Sequence, residues 1–416
     1  MNASQTQSVP MVPLRARYDR IRATTLELAQ PFSPEDQMLQ SMPDASPMKW
    51  HLAHTTWFFE TFLLSPNVKG YRTFSPKFRD LFNSYYKQLG SHPYRGARGL
   101  MSRPSLEEVQ GYRQWVDAEM GRLFDRGDEQ LHSLIELGLN HEQQHQELMV
   151  TDIKHALWSM PLRPENARGP RPVSEAPPLQ WSDVAGGIYE IGHAGEDFAF
   201  DNEAPRHQVL LQDFQIASRT VTNGEYLEFI RDGGYRRPEL WLSDGWDAVC
   251  QQNWCAPLYW EERDGAWFDF SFAGMKELDH AAPVCHVSYY EADAFARWSG
   301  ARLPREDEWE VAADQARVAQ PGAFLEDWTF APAPVRGQTP QWLGNVWEWT
   351  ASPYVAYPGF RPAPGIVGEY NGKFMCNQFV LRGGSCATPE SHIRVTYRNF
   401  FPPHARWQFM GIRLAK

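Results

Sequence analysis

The sequence predicts an α+β chain in which a four-helix bundle precedes a loop-rich mixed α/β domain. Three observations carry that prediction. Helix-spaced apolar residues dominate residues 13–160, a proline-rich stretch interrupts the chain at 161–180, and short β-like runs fill residues 181–416 between clusters of Gly, Pro, Asn and Asp. The 416 residues leave room for two or three domains, at ~150 residues each.

Two early stretches, residues 13–30 and 47–65, fit helices by their apolar spacing. The third helix, Ser105 to Arg126, opens SLEE behind Pro104, an S-x-x-E pattern whose serine and glutamate can cap each other's backbone N–H groups. The fourth, Glu129 to Ser159, carries Leu131, Leu134, Ile135, Leu139, Leu148, Ile153 and Leu157. Six prolines in residues 161–180 forbid a continued helix and read as an extended linker. Beyond it, GGIYEIG, HQVLLQDFQIA, QFVLRGG and GIRLA read as strands. Helices are expected at Thr222 to Asp232, Tyr289 to Ser299 and Arg305 to Ala313.

Composition narrows the function. A net charge of −11 disfavours nucleic acid, whose phosphates select basic surfaces. No run approaches ~18 apolar residues, so no membrane-spanning helix is expected. The N-terminus shows no signal-peptide core, and the cytoplasm is the expected location. Five cysteines without a C-x-x-C pair favour neither a disulfide scaffold nor a cysteine zinc site. The load of 17 Trp, 16 Tyr and 24 Phe argues for aromatic-lined pockets.

The segment NHEQQHQE places His141 and His145 four apart, one turn along one helix face, where two imidazoles can share a metal. HEQQH also matches the zinc-protease pattern H-E-x-x-H, in which Glu142 would be the general base. A third ligand can come from WHLAHTTWFFE, which offers His51 and His54 on another helix. Three neutral imidazoles suit Zn(II), Fe(II), Ni(II) or Cu(II), so spacing alone leaves the metal open.

Residues 13–160 resemble a DinB-like four-helix bundle, whose metal ligands match His54, His141 and His145. Residues 181–416 resemble a formylglycine-generating-enzyme/sulfatase-modifying-factor domain of C-type-lectin-like fold. That likeness rests on GGIYEIG, DNEAPRHQVLL, VTNGEYLEFI, PVCHVSYYEADAFARWSGARLPREDEWEVAA, GNVWEWTAS, LRGGSCAT and YRNFFPPHARWQFMGIRLA, in that order. The combination resembles the sulfoxide synthases of ergothioneine biosynthesis. It implies Fe(II) as cofactor, and hercynine (trimethylhistidine), a thiol and O₂ as substrates. The cysteines that hold copper in formylglycine-generating enzymes lie further along the Cys386 stretch, and ATPESHIRVTYR contains none.

The same resemblance assigns roles. Gln144 and Asn399 would contact the substrate imidazole, Tyr85 or Tyr86 would deliver a proton, and Arg95 and Arg398 would bind the cysteine carboxylate as guanidinium–carboxylate pairs. Phe400, Phe401 and Trp407 would surround the trimethylammonium, whereas Trp347 and Trp349 read as core. Phe401 stands where the γ-glutamylcysteine-using branch carries an acid, which points to cysteine. The alternatives are γ-glutamylcysteine, a selenosugar, histidine in place of hercynine, a DinB-type zinc hydrolase or thiol transferase, and a non-catalytic lectin-like binding protein.

Overall fold

Four long helices form the first half of the computed structural model, which describes residues 13–86, 93–165, 175–316, 322–335, 340–363, 365, 368 and 371–416. They are α1 (Leu14–Ala29), α2 (Met48–Phe58), α3 (Leu106–Asp125) and α4 (His132–Ser159). Helix α1 packs on α4, and α2 lies between α3 and α4. The central position of α2 explains its composition, since every residue from Met48 to Phe58 is buried. The expected start of α3 is observed: Ser105 caps the Glu108 N–H while the Glu108 carboxylate accepts the Ser105 N–H.

The second expected helix does not run uniformly to residue 65. After Phe58 it widens into a π-helical turn, Phe59–Leu64, of the kind that redirects side chains near functional sites. Helix α4 approaches this turn at Gly138, where a Cβ would lie 2.7 Å from the Phe59 ring and 2.9 Å from that of Phe58. A glycine there, one turn before His141, is what lets the two helices close on each other.

The second half is mixed and loop-rich. Strands β1 (Trp181–Val184) and β4 (Phe214–Ala217) pair antiparallel, as do β2 (Gly187–Ile191) and β3 (His207–Leu211). HQVLLQDFQIA is thus two strands, each pairing elsewhere. Helices α5 (Asn223–Arg231), α7 (Tyr289–Trp298) and α8 (Glu306–Gln315) stand where expected. The sequence reading missed α6 (Ser243–Gln252) and the meander of β5 (Trp260–Arg263), β6 (Ala266–Ser271) and β7 (Gly274–Glu277). The sheet facing the bundle has the order β10-β9-β8-β11, from β8 (Trp347–Pro353), β9 (Phe379–Arg382), β10 (Asn399–Phe401) and β11 (Met410–Gly411). Of the proline-rich stretch, residues 166–174 lie outside the described residues. Among the described residues no helix is long and apolar enough to cross a membrane.

Candidate metal centre

Helices α2 and α4 bring His54, His141 and His145 together in the bundle core, their ligand nitrogens all within 4.8 Å of one another. His54 is stacked between Trp50 (4.4 Å between centroids) and Trp57 (5.3 Å). Its Nδ1 donates to the Phe82 carbonyl at 2.6 Å. A carbonyl only accepts, so Nε2 is left bare, and it has no partner among the described residues. Neither nitrogen of His141 has a hydrogen-bond partner either. Burial pushes all three imidazoles below their ordinary value, His141 to about 4. They are therefore neutral at pH 7, with lone pairs available to a metal.

Of the two histidines open as third ligand, His51 stands behind the cluster. Its Nδ1 lies 2.7 Å from Nδ1 of His145, and its Nε2 lies 3.2 Å from an Asp152 oxygen.

Glu142 follows His141 directly yet points toward α1 and α3. It is fully buried and accepts from Arg22 (2.9 Å), Arg113 (2.8 Å) and Thr25 (2.7 Å). Against the cost of burial, the two guanidiniums hold its carboxyl down at about 2. A zinc-protease general base must reach a metal-bound water, and this carboxylate is fully engaged elsewhere. The H-E-x-x-H match is thus coincidental.

His145 opens onto a cavity of about 400 Å³ between the two halves of the chain. Tyr85, Arg95 and Gln144 line one wall, and Asn399, Phe400, Phe401 and Trp407 the other. Phe400 stacks on Tyr354 at 4.1 Å, and Phe401 meets Trp407 edge-on at 5.7 Å. Gln144 donates to the Tyr397 hydroxyl at 2.7 Å. Trp347 is core, as expected, and also borders this cavity.

The two expected tyrosines, Tyr85 and Tyr86, lie just past the short helical turn Phe78–Leu81. Their rings touch, with centroids 4.9 Å apart, yet they border different cavities. Tyr85 borders the large cavity, while buried Tyr86 packs near Trp57 and Phe62 and borders a smaller cavity beside His141. Arg398 borders the large cavity as well, but most of its guanidinium is engaged within the protein. That group is fully buried and bidentate to Glu306 at 2.8 and 2.9 Å, with further bonds to the Asn202 and Val355 carbonyls. Four of its five N–H groups are thus engaged, which leaves at most one for a substrate carboxylate.

The arginine that sequence reasoning missed is Arg98. It lines the cavity together with Arg95, rests 3.4 Å over the Trp50 ring, and donates to Ser46. Burial and the neighbouring Arg95 push it down to about 9. The two occupy one 3₁₀ segment, Arg95–Leu100. An R-x-x-R spacing brings both onto one face of such a turn, and that was the available signal.

A neutral three-histidine centre beside an interdomain cleft defines a metal-dependent enzyme. Residues 170–324 and 339–416 match the sulfatase-modifying factor enzyme 1-like domain family. Hercynine oxygenase of Mycobacterium tuberculosis is 33% identical, over 95% of this chain and 96% of its own length. That of Mycolicibacterium thermoresistibile is also 33% identical, over 97% and 95%. The formylglycine-generating enzyme of Streptomyces coelicolor is 28% identical, over 56% of this chain and 87% of its own. The chain belongs to the hercynine oxygenase family, and it is an oxygenase.

Proposed function

We propose that this enzyme uses iron(II) and O₂ to join the sulfur of cysteine to the imidazole of hercynine, giving hercynylcysteine sulfoxide in ergothioneine biosynthesis. One observation carries the reading: three buried imidazoles with bare nitrogens stand beside a cleft that has cationic and aromatic walls.

His54, His141 and His145 fit a resident divalent metal, because they present neutral nitrogen donors within 4.8 Å of one another. Bound there, iron(II) would supply open positions for O₂ and the thiol sulfur and would favour the thiolate. The remaining roles fall to side chains. Arg95 and Arg98 bind the cysteine carboxylate, with Arg398 of the expected Arg95–Arg398 pair mostly engaged by Glu306. Gln144 and Asn399, from opposite walls, orient the imidazole of hercynine. Phe400, Phe401 and Trp407 offer ring faces to its trimethylammonium. Tyr85 borders the same cavity and holds the transferable proton at its hydroxyl; Tyr86 supports the apolar side of the centre. Phe401 gives that wall no carboxylate at its position to pair with the glutamyl ammonium of γ-glutamylcysteine, which disfavours that thiol.

The test incubates iron(II)-loaded protein with hercynine, O₂ and either cysteine or γ-glutamylcysteine, with products read by mass spectrometry. Hercynylcysteine sulfoxide from cysteine is expected, and His141→Ala should abolish it. Product from γ-glutamylcysteine alone would overturn the thiol assignment. No coupled product from either thiol would overturn the reaction.

A further inference from the structure

We infer that His51 and Asp152 form a positioning pair, which sets the tautomer and ring orientation of His145 so that its Nε2 faces the metal. The inference rests on the reading of His145 as a ligand.

The hydrogen bonds admit one direction. A carboxylate oxygen only accepts, so Asp152 Oδ2, which takes the backbone N–H of Ser46 at 2.8 Å, takes the His51 Nε2–H as well. A neutral imidazole has one N–H. With that proton on Nε2, His51 Nδ1 is bare, and the 2.7 Å contact to His145 Nδ1 requires His145 to donate. His145 Nε2 is then left with its lone pair. The same end is reached at His54 by the simpler device of a backbone carbonyl.

Helix geometry explains why two residues are needed. Asp152 lies seven positions beyond His145 on α4, two turns along nearly the same azimuth and ~10 Å further up the axis. No carboxylate spans that distance. The ring of His51, projecting from α2, fills it, with a centroid 5.0 Å from that of His145. All three side chains are buried, so water does not compete for these bonds. Partners that orient a ligating histidine in this way typically contribute 10–100-fold in metal affinity.

The test titrates metal-free protein with Co(II), following the visible ligand-field spectrum, and checks each variant's fold by circular dichroism. Wild type should bind one equivalent, and His145→Ala should bind far more weakly. Failure of either result overturns the three-histidine reading itself. Given both, His51→Phe, which keeps ring volume without an acceptor, should lose about 10–100-fold in affinity and change the spectrum. His51→Asn, whose amide oxygen falls near the Nδ1 position, should recover most of that loss. Wild-type affinity and spectrum in His51→Phe would overturn the positioning role. So would an equal loss in His51→Phe and His51→Asn. Should His51→Phe fail to fold, Asp152→Ala serves in its place: a clear loss of Co(II) affinity is expected, and unchanged affinity would overturn the proposal.

Discussion

The carboxylate of Glu147 accepts the indole N–H of Trp347 at 2.7 Å, joining the ligand-bearing helix α4 to strand β8 across 200 residues of sequence. The same carboxylate takes the hydroxyls of Ser385 (2.6 Å) and Thr388 (2.8 Å). One buried acid two residues past His145 therefore ties the metal centre to the opposite wall of the cleft.

Trp347→Phe removes one donor and trims a buried bicyclic ring to a single one, which adds a small cavity. It should lower unfolding free energy by about 1–3 kcal/mol, the usual cost of leaving part of a buried charged acceptor unsatisfied. Glu147→Ala orphans all three donors and should cost more. Urea denaturation of the two variants checks the order, and equal effects would contradict it.

Arg98 and Arg398 make a discriminating pair. Arg98→Ala should raise KM for cysteine by about 10–100-fold, as expected for a lost charge-assisted hydrogen bond, with a smaller change in the KM for hercynine. Arg398→Ala should instead destabilise the fold, because it removes one of the two guanidiniums paired with buried Glu306. Steady-state kinetics with each substrate varied, together with thermal melts, separates the two.

Glu306 sets a pH dependence. Although burial opposes ionisation, Arg398 and Arg382 hold its carboxyl below the ordinary value. A lowered folded value stabilises above the unfolded carboxylate range, ~4.3, and that stability is lost as pH falls. Glu306→Gln should cost about 3–5 kcal/mol at pH 7, by leaving buried guanidiniums uncompensated. The gap to wild type should narrow toward pH 3.5. Denaturant midpoints at the two pH values read this directly, and a constant gap would argue against it.

Glu142→Gln tests the abandoned zinc-protease reading. It breaks the Arg22–Glu142–Arg113 cluster and should lower stability, while the folded fraction keeps its kcat within a few-fold. A general base would instead cost about 10²–10⁴ in rate. Activity normalised to folded protein distinguishes the two.

What the sequence made legible followed periodicity and local caps. The S-x-x-E start of α3, the H-x-x-x-H face of α4 and the helices at 223, 289 and 306 depend on neighbours a turn away. The errors arose where distant partners decide. Arg95, Arg98 and Arg398 are alike as residue types, and Glu306, 92 positions away, is what engages most of Arg398 internally. Glu142 fits a motif whose meaning depends on which way it faces, and Arg22 and Arg113 settle that from two other helices. The β5–β7 meander was hidden because WEER, AWFDFS and GMKE alternate too weakly in polarity to read as strands.

Helix α4 works like a camshaft, with each task fixed by rotation about one axis at ~100° per residue. His141, His145 and Asp152 share a lobe; Glu142 is turned to the bundle, Gln144 to the cleft and Glu147 to the sheet. A single residue inserted between Asn140 and Glu147 would throw those lobes out of timing with one another, whereas the same insertion after Ser159 would disturb none of them. Change along this chain is thereby steered toward the cleft residues that lie off the shaft, such as Arg95 and Arg98, and away from α4 itself.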